Sequence, residues 1–368
     1  MPCFSPLTAW YSKTVNESGK CSLVFDGIKA FQQNLGDPIN IGCGQCVGCR
    51  LERSRQWAVR CMHESQMFDG KNSFLTLTFD EPSLQKRDNP HSLDKVEFQK
   101  FMKRLRERFV PKNPFNPRSK YNGTDKEDEH KKNFDDWQYE NGIRYYYCGE
   151  YGEQCKNCGL SKKLCERRGC GKFDSTFGRP HYHAIIFNLH FEDREPAKGV
   201  RSTTEKYYES AELQKLWPFG RAIIGDVTFE SAAYVARYVM KKVNGKKKEE
   251  HYKKVTGFNP ESGEIELRQI EPEYTDMSRR PGIGKRWFEK FKTDVYPSDF
   301  ITVNGKKVPP PKYYDKLLEL EDPVLLDKLK TNRAKNAEKH SDDLTPERLL
   351  VRSQIVGRRL DRLVRNLE

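Results

Sequence analysis

Long hydrophobic runs are missing from this sequence. No stretch of its 368 residues approaches the roughly 20 consecutive apolar residues that a membrane-spanning helix needs. The N-terminal segment, residues 1–6, also lacks the basic stretch followed by an apolar stretch that a secretory signal requires. We therefore expect neither a membrane-spanning nor a secreted protein.

Apolar residues are scarce throughout the chain. The hydrophobic class makes up 36% of the residues and the mean hydropathy is −0.88. Aromatic residues nevertheless account for 12%, which is too many for a fully disordered chain. At roughly 100–200 residues per domain, the length predicts two or three structural units. We expect one modest core with large polar insertions.

Positive charge is in excess. Lys and Arg total 66 against 53 Asp and Glu, so the formal net charge is +13. Such an excess favours a polyanionic partner, most simply nucleic acid, although a Lys-rich solvated surface is the ordinary alternative. Basic runs at residues 246–248, 253–254, 279–280 and 358–359 are each typical of a solvated surface, but together they favour phosphate contacts.

Four of the 11 cysteines fall within one short polar segment. Clustered thiols in a chain that is not secreted are more often metal ligands than disulfides. The leading C-x2-C spacing is typical of structural zinc, and a segment with almost no apolar residues needs a metal to order it. Interspersed Lys and Arg make it a candidate DNA-contacting finger, while free or disulfide-linked thiols are the alternative. The four are Cys155, Cys158, Cys165 and Cys170.

A second group supplies three thiols, Cys43, Cys46 and Cys49, in a C-x2-C-x2-C pattern. Zinc is favoured, and a reduced structural knuckle is the alternative. The spacing also suits an iron–sulfur cluster, but the usual fourth Cys followed by Pro is absent. The fourth ligand stays open among Cys3, Cys21, Cys61 and His63.

Hydrophobic periodicity predicts an α+β fold with an antiparallel sheet, because the connections read as hairpins or insertions and not as a βαβ alternation. The predicted strands are residues 73–80, 143–149, 181–189 and 222–227. The predicted helices are residues 50–68, 92–109, 204–216, 229–243 and 346–367. Residues 111–136 read as a surface loop, residues 153–178 interrupt the strand pattern, and residues 246–320 contain few long periodic segments.

The most informative pair is His181 and His183. Residues i and i+2 of a strand face the same side, so the two imidazoles project together. Adjacent imidazoles are natural ligands for a metal ion. The alternative is a half-exposed strand with two polar positions.

A helical segment carries Tyr234 and Tyr238 one turn apart on one face. A pair of core aromatic residues is the ordinary interpretation of this spacing. The small and apolar residues elsewhere in the helix could supply the core-facing stripe instead, which would leave the tyrosines to face a site. These residues are Ala232, Ala233, Val235, Ala236 and Val239.

A strand, a His-x-His strand and a Tyr-x3-Tyr helix, in this order, resemble the HUH-type rolling-circle replication initiators. The chain looks most like the initiator of small single-stranded DNA bacteriophages, the gokushovirus group of microviruses. Gly42 is a looser match, since that family often has proline there. The matching motifs are spread over roughly the first two-thirds of the chain, at residues 43–52, 74–79, 149–152, 178–187 and 234–242.

The resemblance implies a central antiparallel sheet flanked by helices, as a ferredoxin-like or RRM-like HUH endonuclease core with Cys-rich zinc-binding insertions. We expect an N-terminal Cys-knuckle region with a helix, an endonuclease core with a finger insertion, a basic extension and a helical tail. These cover residues 1–70, 71–245 with the finger at 153–178, 246–320 and 321–368, respectively.

In such enzymes the histidines hold a divalent cation together with a third ligand. The resemblance assigns His181 and His183 to Mg²⁺ or Mn²⁺, and the histidine pair mildly favours Mn²⁺. The third ligand is expected to be Glu150, which ends the neighbouring strand, with Glu153 as the alternative. The Cys-rich segment between these positions departs from the compact pattern of the family.

The resemblance further implies that Tyr234 or Tyr238 attacks the scissile phosphate and that Lys241 and Lys242 contact DNA phosphates, unless these lysines are only a solvated helix end. The expected partners are a single-stranded viral origin and the host helicase and polymerase, in the cytoplasm of a bacterial host. A transposase or relaxase of the same chemistry is an alternative, although relaxases tend to place the nucleophile before the histidines. The second alternative is a non-catalytic, zinc-dependent nucleic-acid-binding protein.

Overall fold

The computed structural model describes residues 3–17, 19–115, 126–155, 157–158, 162–170, 175–198, 206–237, 248–258 and 265–361. The chain forms two compact units. The terminal unit combines residues 1–55 with residues 315–367, and the sheet unit consists of residues 56–314. No helix in the described ranges is long and apolar enough to cross a membrane.

Strands and helices alternate irregularly along the chain. The strands are β1 Leu7–Val15, β2 Cys21–Val24, β3 Ile39–Ile41, β4 Asn72–Thr78, β5 Arg144–Cys155, β6 Ser175–Phe187, β7 Glu195–Pro196, β8 Tyr207–Glu209, β9 Ala222–Gly225, β10 Lys253–Phe258, β11 Ile265–Gln269, β12 Tyr274–Met277, β13 Ile301–Val303 and β14 Lys306–Val308. The helices are α1 Gly27–Gln32, α2 Val47–Ser65, α3 Glu81–Gln85, α4 Lys95–Phe109, α5 Glu127–Asn141, α6 Lys162–Arg167, α7 Ala211–Leu216, α8 Phe229–Arg237, α9 Lys248–His251, α10 Lys285–Val295, α11 Lys312–Glu321, α12 Pro323–Glu338 and α13 Pro346–Asp361.

A seven-stranded antiparallel sheet dominates the sheet unit. Its strand order is β12-β5-β6-β4-β9-β8-β7, so the long β5–β6 hairpin lies next to β4. This confirms the predicted α+β class with an antiparallel sheet flanked by helices. In the terminal unit, β2, β1 and β3 form a separate three-stranded sheet.

One face of the large sheet carries the main hydrophobic core. Alternating residues of β4 and β6 point to this face and pack beneath α4 and α7. Phe98 of α4 stacks on Tyr147 of β5 with ring centroids 3.6 Å apart. The fully buried core residues include Leu75, Leu77, Phe101, Leu105, Tyr182, Ala184, Ile186, Leu213 and Trp217. Since this alternation fixes which side is apolar, the intervening residues of each strand face the opposite side.

The opposite face is covered in part by α2 and α8. Trp57 of α2 stacks on Tyr146 of β5 at 4.9 Å. The start of α8 is fixed by a reciprocal cap, in which the Thr228 hydroxyl accepts from the Ser231 backbone N–H and the Ser231 hydroxyl accepts from the Thr228 backbone N–H. This cap sets the direction from which α8 approaches the sheet.

Two secondary-structure predictions were wrong. The stretch expected as a surface loop at residues 111–136 contains the start of α5, Glu127–Asn141, whose acidic first turn complements the helix dipole. The stretch expected as a helix at residues 204–216 contains β8, Tyr207–Glu209, before the short helix α7. Pairing of Tyr207 with Gly225 of β9 makes this segment a strand, and that contact is not visible in local periodicity.

Two other stretches are more regular than their composition indicates. The Cys-rich segment expected to interrupt the strands instead caps their ends, because β5 extends to Cys155 and β6 begins at Ser175. Within residues 246–320, β12 joins the large sheet through Tyr274–Met277, which pairs with β5. Part of this basic stretch is therefore integral to the sheet.

Candidate active site and metal centres

The register of the sheet brings a carboxylate to the two histidines. Glu150 of β5 lies directly opposite His181 of β6, and Cys148 lies opposite His183. On the other side of β6, Thr76 of β4 lies opposite His183. The two histidines are thus held between paired strands on both sides, on the face away from the main core.

Three ligand atoms converge at this position. The Glu150 Oε1 atom lies 2.9 Å from Nε2 of His181 and 2.8 Å from Nε2 of His183. The three residues form one group whose ligand atoms all lie within 4.8 Å of one another, and this group could hold a metal ion. It includes Glu150 and does not include Glu153, which lies beyond a break in the β5–β6 register where β6 has one extra residue.

The other ring nitrogens orient the two imidazoles. Nδ1 of His181 lies 3.1 Å from the carbonyl oxygen of Arg179, and a carbonyl can only accept, so this nitrogen carries a hydrogen. Nδ1 of His183 lies 3.0 Å from Oγ1 of Thr76. Partners of this kind direct the opposite nitrogen, Nε2, toward a metal.

The electrostatics of the group suit a cation. Glu150 is 1% exposed, and burial alone would raise its pKa. The charges and hydrogen bonds of His181 and His183 outweigh that effect and lower the pKa of Glu150 to about 2. A buried, ionised carboxylate beside two imidazole nitrogens is a donor set that fits a divalent ion of the Mg²⁺ or Mn²⁺ class.

A tyrosine completes the arrangement. The hydroxyl of Tyr234, on α8, donates to Oε1 of Glu150 at 3.5 Å. Its ring stands edge-on to His183 with centroids 5.0 Å apart, and the residue is 8% exposed. The structure therefore places Tyr234 against the three-ligand group, although its burial is also what a core aromatic would show. Tyr238, Lys241 and Lys242 lie outside the described residues.

A four-sulfur group lies at the end of the same hairpin. Cys155 is the last residue of β5 and Cys165 lies in α6, whereas Cys158 and Cys170 lie in the segments before and after that helix. All four sulfurs lie within 4.8 Å of one another and could hold a metal ion. The four cysteines that the sequence grouped by spacing are therefore grouped in space.

The terminal unit contains a second four-sulfur group, in which Cys3 joins the three thiols of the knuckle. The Cys3 sulfur lies 3.7 Å from that of Cys43 and 3.8 Å from that of Cys46. Four sulfurs bound tetrahedrally to one zinc at about 2.3 Å would lie about 3.8 Å apart, so the spacing fits a single ion. Among the open candidates for the fourth ligand, the structure selects Cys3.

Backbone N–H groups stabilise negative charge on this second group. Phe4 donates to the Cys46 sulfur at 3.2 Å, and Cys46 itself donates to the Cys43 sulfur at 3.2 Å. Burial alone would raise the pKa of Cys46, but the backbone hydrogen bonds from Phe4 and Cys49 and the side-chain hydrogen bonds of Cys49 and Cys43 lower it to about 6. Burial and the neighbouring thiols raise the pKa of Cys49 to about 12. Ionisation of Cys46 therefore disfavours a second thiolate at Cys49, and a bound cation would remove that penalty.

Comparison with known proteins bears on what these centres are for. The family model described as replication-associated protein ORF2/G2P matches residues 168–243, which include both histidines and Tyr234. The replication-associated protein VP4 of Bdellovibrio phage phiMH2K is 29% identical over 315 residues, covering 85% of this chain and 76% of that protein. The chain is therefore similar to replication-associated proteins of phages.

Two further relatives agree with this. The replication-associated protein ORF2 of Spiroplasma virus 4 is 28% identical over 332 residues, covering 87% of this chain and 78% of that protein. The replication-associated protein ORF4 of Chlamydia phage 1 is 26% identical over 279 residues, covering 75% of this chain and 53% of that protein. No solved structure matches the chain. The resemblance to the replication proteins of small phages, drawn from the motifs, is confirmed.

Two side chains at the site were given no role by sequence reasoning. Thr76 belongs to an ordinary alternating strand, and only its pairing with β6 places its hydroxyl on His183. Arg179 precedes the histidine motif by two residues, and its carbonyl orients His181. Strand alternation places Arg179 and both histidines on one face, and that periodicity was the available signal.

Proposed function

We propose that this chain is a replication-initiation endonuclease with HUH-type chemistry. It nicks single-stranded or supercoiled viral DNA at the origin, forms a 5′-phosphotyrosine link, starts rolling-circle replication and later terminates and religates it. The observation that supports this most directly is the Tyr234 hydroxyl, 3.5 Å from the carboxylate of the Glu150, His181 and His183 group. Homology to phage replication-associated proteins supports a role in replication initiation.

The proposed step is a transesterification. The tyrosine oxygen attacks the phosphorus, and the bond from phosphorus to the 3′ oxygen breaks. The phosphate keeps its bond to the 5′ oxygen of the downstream strand and is now also bonded to the tyrosine oxygen. The leaving 3′ oxygen takes up a proton, and the tyrosine gives one up, so one phosphodiester is exchanged for another. The free 3′-OH can then prime synthesis, and the reverse reaction religates the strand.

Residues of this chain prepare that step in defined ways. Glu150, His181 and His183 present one oxygen and two nitrogen atoms to a divalent ion, proposed to be Mn²⁺ or Mg²⁺. A free tyrosine hydroxyl, with a pKa near 10, is a weak nucleophile. When bound, such an ion would neutralise charge on the scissile phosphate and so make attack by the tyrosine easier. Tyr234 is held over the ligand group by α8.

Other parts of the proposal rest on residues outside the described ranges or on the donor sets alone. Tyr238 is proposed as the second nucleophile, and Lys241 and Lys242 as phosphate contacts. Both four-sulfur groups are proposed to bind zinc. The proposed partners are the viral origin and the host helicase and polymerase, in the cytoplasm of a bacterial host.

The test is formation of a covalent adduct. Purified protein is incubated with single-stranded oligonucleotides that tile the viral origin, in Mn²⁺, and the products are separated under denaturing conditions. Wild type should give a protein–DNA adduct and a fragment with a free 3′-OH. The Tyr234→Phe/Tyr238→Phe double variant should give neither, because it has no hydroxyl to attack.

A matched control separates nucleophile loss from general damage. Tyr145→Phe changes a half-buried tyrosine of β5 on the face away from Glu150, and it should form the adduct at the wild-type rate. An adduct in the double variant would disprove the assignment of the nucleophile. Tight DNA binding by wild type with no adduct under any divalent ion would instead favour the non-catalytic zinc-dependent binding protein.

A further inference from the structure

In the part of the chain that the structure describes, the three-ligand group is most exposed at His181. The side chains of Glu150 and His183 are each 1% exposed, whereas that of His181 is 15% exposed. Tyr234 closes the group from α8. Among the described residues, the side of His181 is therefore the most accessible approach to the group.

The residue next to His181 on this side is Gly152, which has no side chain. A side chain added at Gly152 would begin 3.9 Å from the Cε1 atom of His181 and 3.9 Å from the backbone of Arg179. Gly178, across the hairpin, is held so close that a side chain there would begin 2.8 Å from the backbone of Gly152. Glycine inside a strand, at a bulge, often marks the place where another backbone comes close.

A cationic side chain borders the same opening. Arg179 lies two positions before His181 on β6 and shares its face of the sheet. Its guanidinium donates to Oε2 of Glu81 at 2.8 Å and to the carbonyl oxygen of Phe79 at 3.5 Å. The Arg179 and Glu81 side chains are 57% and 58% exposed.

Such an exposed ion pair contributes little to stability. A phosphate can therefore take the place of Glu81 on the Arg179 guanidinium, which suits a tetrahedral anion through its paired N–H donors. The Arg179 carbonyl meanwhile remains on Nδ1 of His181. Arg179 thus contacts His181 through its main-chain carbonyl, while its side chain lies beside the exposed side of the group.

We propose that Arg179, beside the bare backbone of Gly152, binds a backbone phosphate of single-stranded DNA next to the scissile one. This phosphate subsite rests on the proposed function, since it assumes that DNA enters the three-ligand group from the side of His181. It adds a contact that neither the histidine motif nor the tyrosines supply.

The first experiment measures affinity without requiring cleavage. Fluorescein-labelled oligothymidine is titrated with Arg179→Gln and wild type over a series of salt concentrations. Loss of one phosphate contact should raise the Kd about tenfold and reduce the slope of log K against log salt by about 0.7. Glu81→Gln should lower the Kd, because it frees the guanidinium, and this gain should vanish in the Glu81→Gln/Arg179→Gln variant.

The matched control is Arg348→Gln in the terminal unit. Arg348 and its partner Asp343 are 59% and 54% exposed, so the pair matches Arg179–Glu81 in being an ion pair of similar exposure. Its Kd and salt slope should stay at wild-type values. Mn²⁺ binding measured by calorimetry should also be unchanged in Arg179→Gln, which shows that the ligand group is intact.

The second experiment locates the phosphate. Single neutral methylphosphonates are placed along the oligonucleotide that wild type nicks, and the Kd is measured for wild type and Arg179→Gln. At one position beside the nick, the methylphosphonate should raise the Kd of wild type about tenfold, and it should leave the Kd of Arg179→Gln unchanged.

These outcomes separate two failures. The subsite would be overturned, even in a protein that forms the adduct, if Arg179→Gln kept the wild-type Kd and salt slope. It would also be overturned if Arg348→Gln lost as much affinity as Arg179→Gln. Absence of any adduct in wild type would overturn the proposed function, while the oligothymidine titration would still report on Arg179.

Discussion

The β5–β6 hairpin carries two candidate metal centres that are built in opposite ways. Glu150, His181 and His183 lie in the middle of the sheet, where β6 is paired on both sides. The four cysteines lie about five residues further along β5, at its end and beyond, a distance of about 17 Å from Glu150. One centre uses regular structure, and the other begins where regular structure stops.

The difference shows what each metal would contribute. The sheet already holds the Glu150 carboxylate ionised and the two imidazoles oriented, so a cation there adds chemistry to a finished scaffold. At the end of the hairpin, burial and the neighbouring thiols raise the pKa of Cys165. Four crowded thiols cannot all ionise without a cation, so a metal there would add fold as well as charge balance.

Removing a ligand from the sheet centre is expected to have the largest effect. His183→Ala should lower adduct formation about a thousandfold, because a bound cation supplies several kcal/mol to charge stabilisation. The midpoint of thermal unfolding should fall modestly, because the buried Glu150 loses one of its two histidine partners while strand pairing holds the rest of the scaffold. Rates of adduct formation and thermal melts of the same samples measure both, with His190→Ala as the control histidine. If His183→Ala formed the adduct slowly only because it was largely unfolded at the assay temperature, the proposed contrast between the two metal centres would be wrong.

Removing a ligand from the sulfur centre should do the reverse. Cys155→Ser should cost one equivalent of zinc and raise the rate of proteolytic cleavage within residues 155–170 about a hundredfold, because the segment loses its local stability. Mn²⁺ binding at the sheet centre should persist. Metal analysis and limited proteolysis test this, and Cys21→Ser, an exposed cysteine outside both sulfur groups, is the control. Full zinc content in Cys155→Ser would remove the finger hypothesis.

The hydroxyl that orients His183 should have an intermediate effect. Thr76→Val keeps the shape of the strand but removes the partner of Nδ1, and such changes typically weaken metal binding 10–100-fold; we expect about tenfold for Mn²⁺. Thr76→Ser, which keeps a hydroxyl, should bind Mn²⁺ with the wild-type affinity. Thr78→Val, whose hydroxyl donates to the carbonyl of Arg221, should bind Mn²⁺ as wild type does. Calorimetric titrations compare the three, and equal losses in both valine variants would show a general strand effect.

Acid gives the smallest expected effect. The pKa of Glu150 falls from 4.5 to about 2 in the folded chain, so its contribution to stability is complete above pH 4.5 and is lost as the pH falls toward 2. Between about pH 4.5 and 3.5 the free energy of unfolding should fall by about 1 kcal/mol more in wild type than in Glu150→Gln. Urea unfolding at both pH values measures this. Parallel falls in the two proteins would show that Glu150 is not held ionised.

The same acid series sharpens the contrast with the sulfur centre. Thiolates take up protons as the pH falls, so zinc should leave the cysteines at about pH 5, where Glu150 remains ionised. A chromogenic chelator follows the release. Zinc that stayed bound well below the pH at which Glu150 loses its charge would contradict the proposed order.

Local patterns predicted the elements that carry their own signal. The strand expected at residues 73–80 was found as β4, and the helix expected at residues 92–109 was found as α4, which buries Phe98, Phe101, Met102 and Leu105. The segment at residues 204–216 was misassigned, because β8 is a strand only through its pairing with β9 and β7. Helix α5 was missed because its apolar positions are few, while its acidic first turn was the signal available.

The candidate site divides along the same line. The sequence by itself determined that His181 and His183 face one side and that four cysteines cluster within 16 residues, because strand period and chain spacing are local and covalent. It proposed Glu150 from family resemblance, with Glu153 as the alternative, and left Cys3 among four candidates. Only the tertiary structure placed Glu150, Thr76 and Tyr234 around the histidines and Cys3 on the knuckle. Cross-strand register and helix docking depend on which faces are buried together, and a shift of one residue would turn every side chain to the other face.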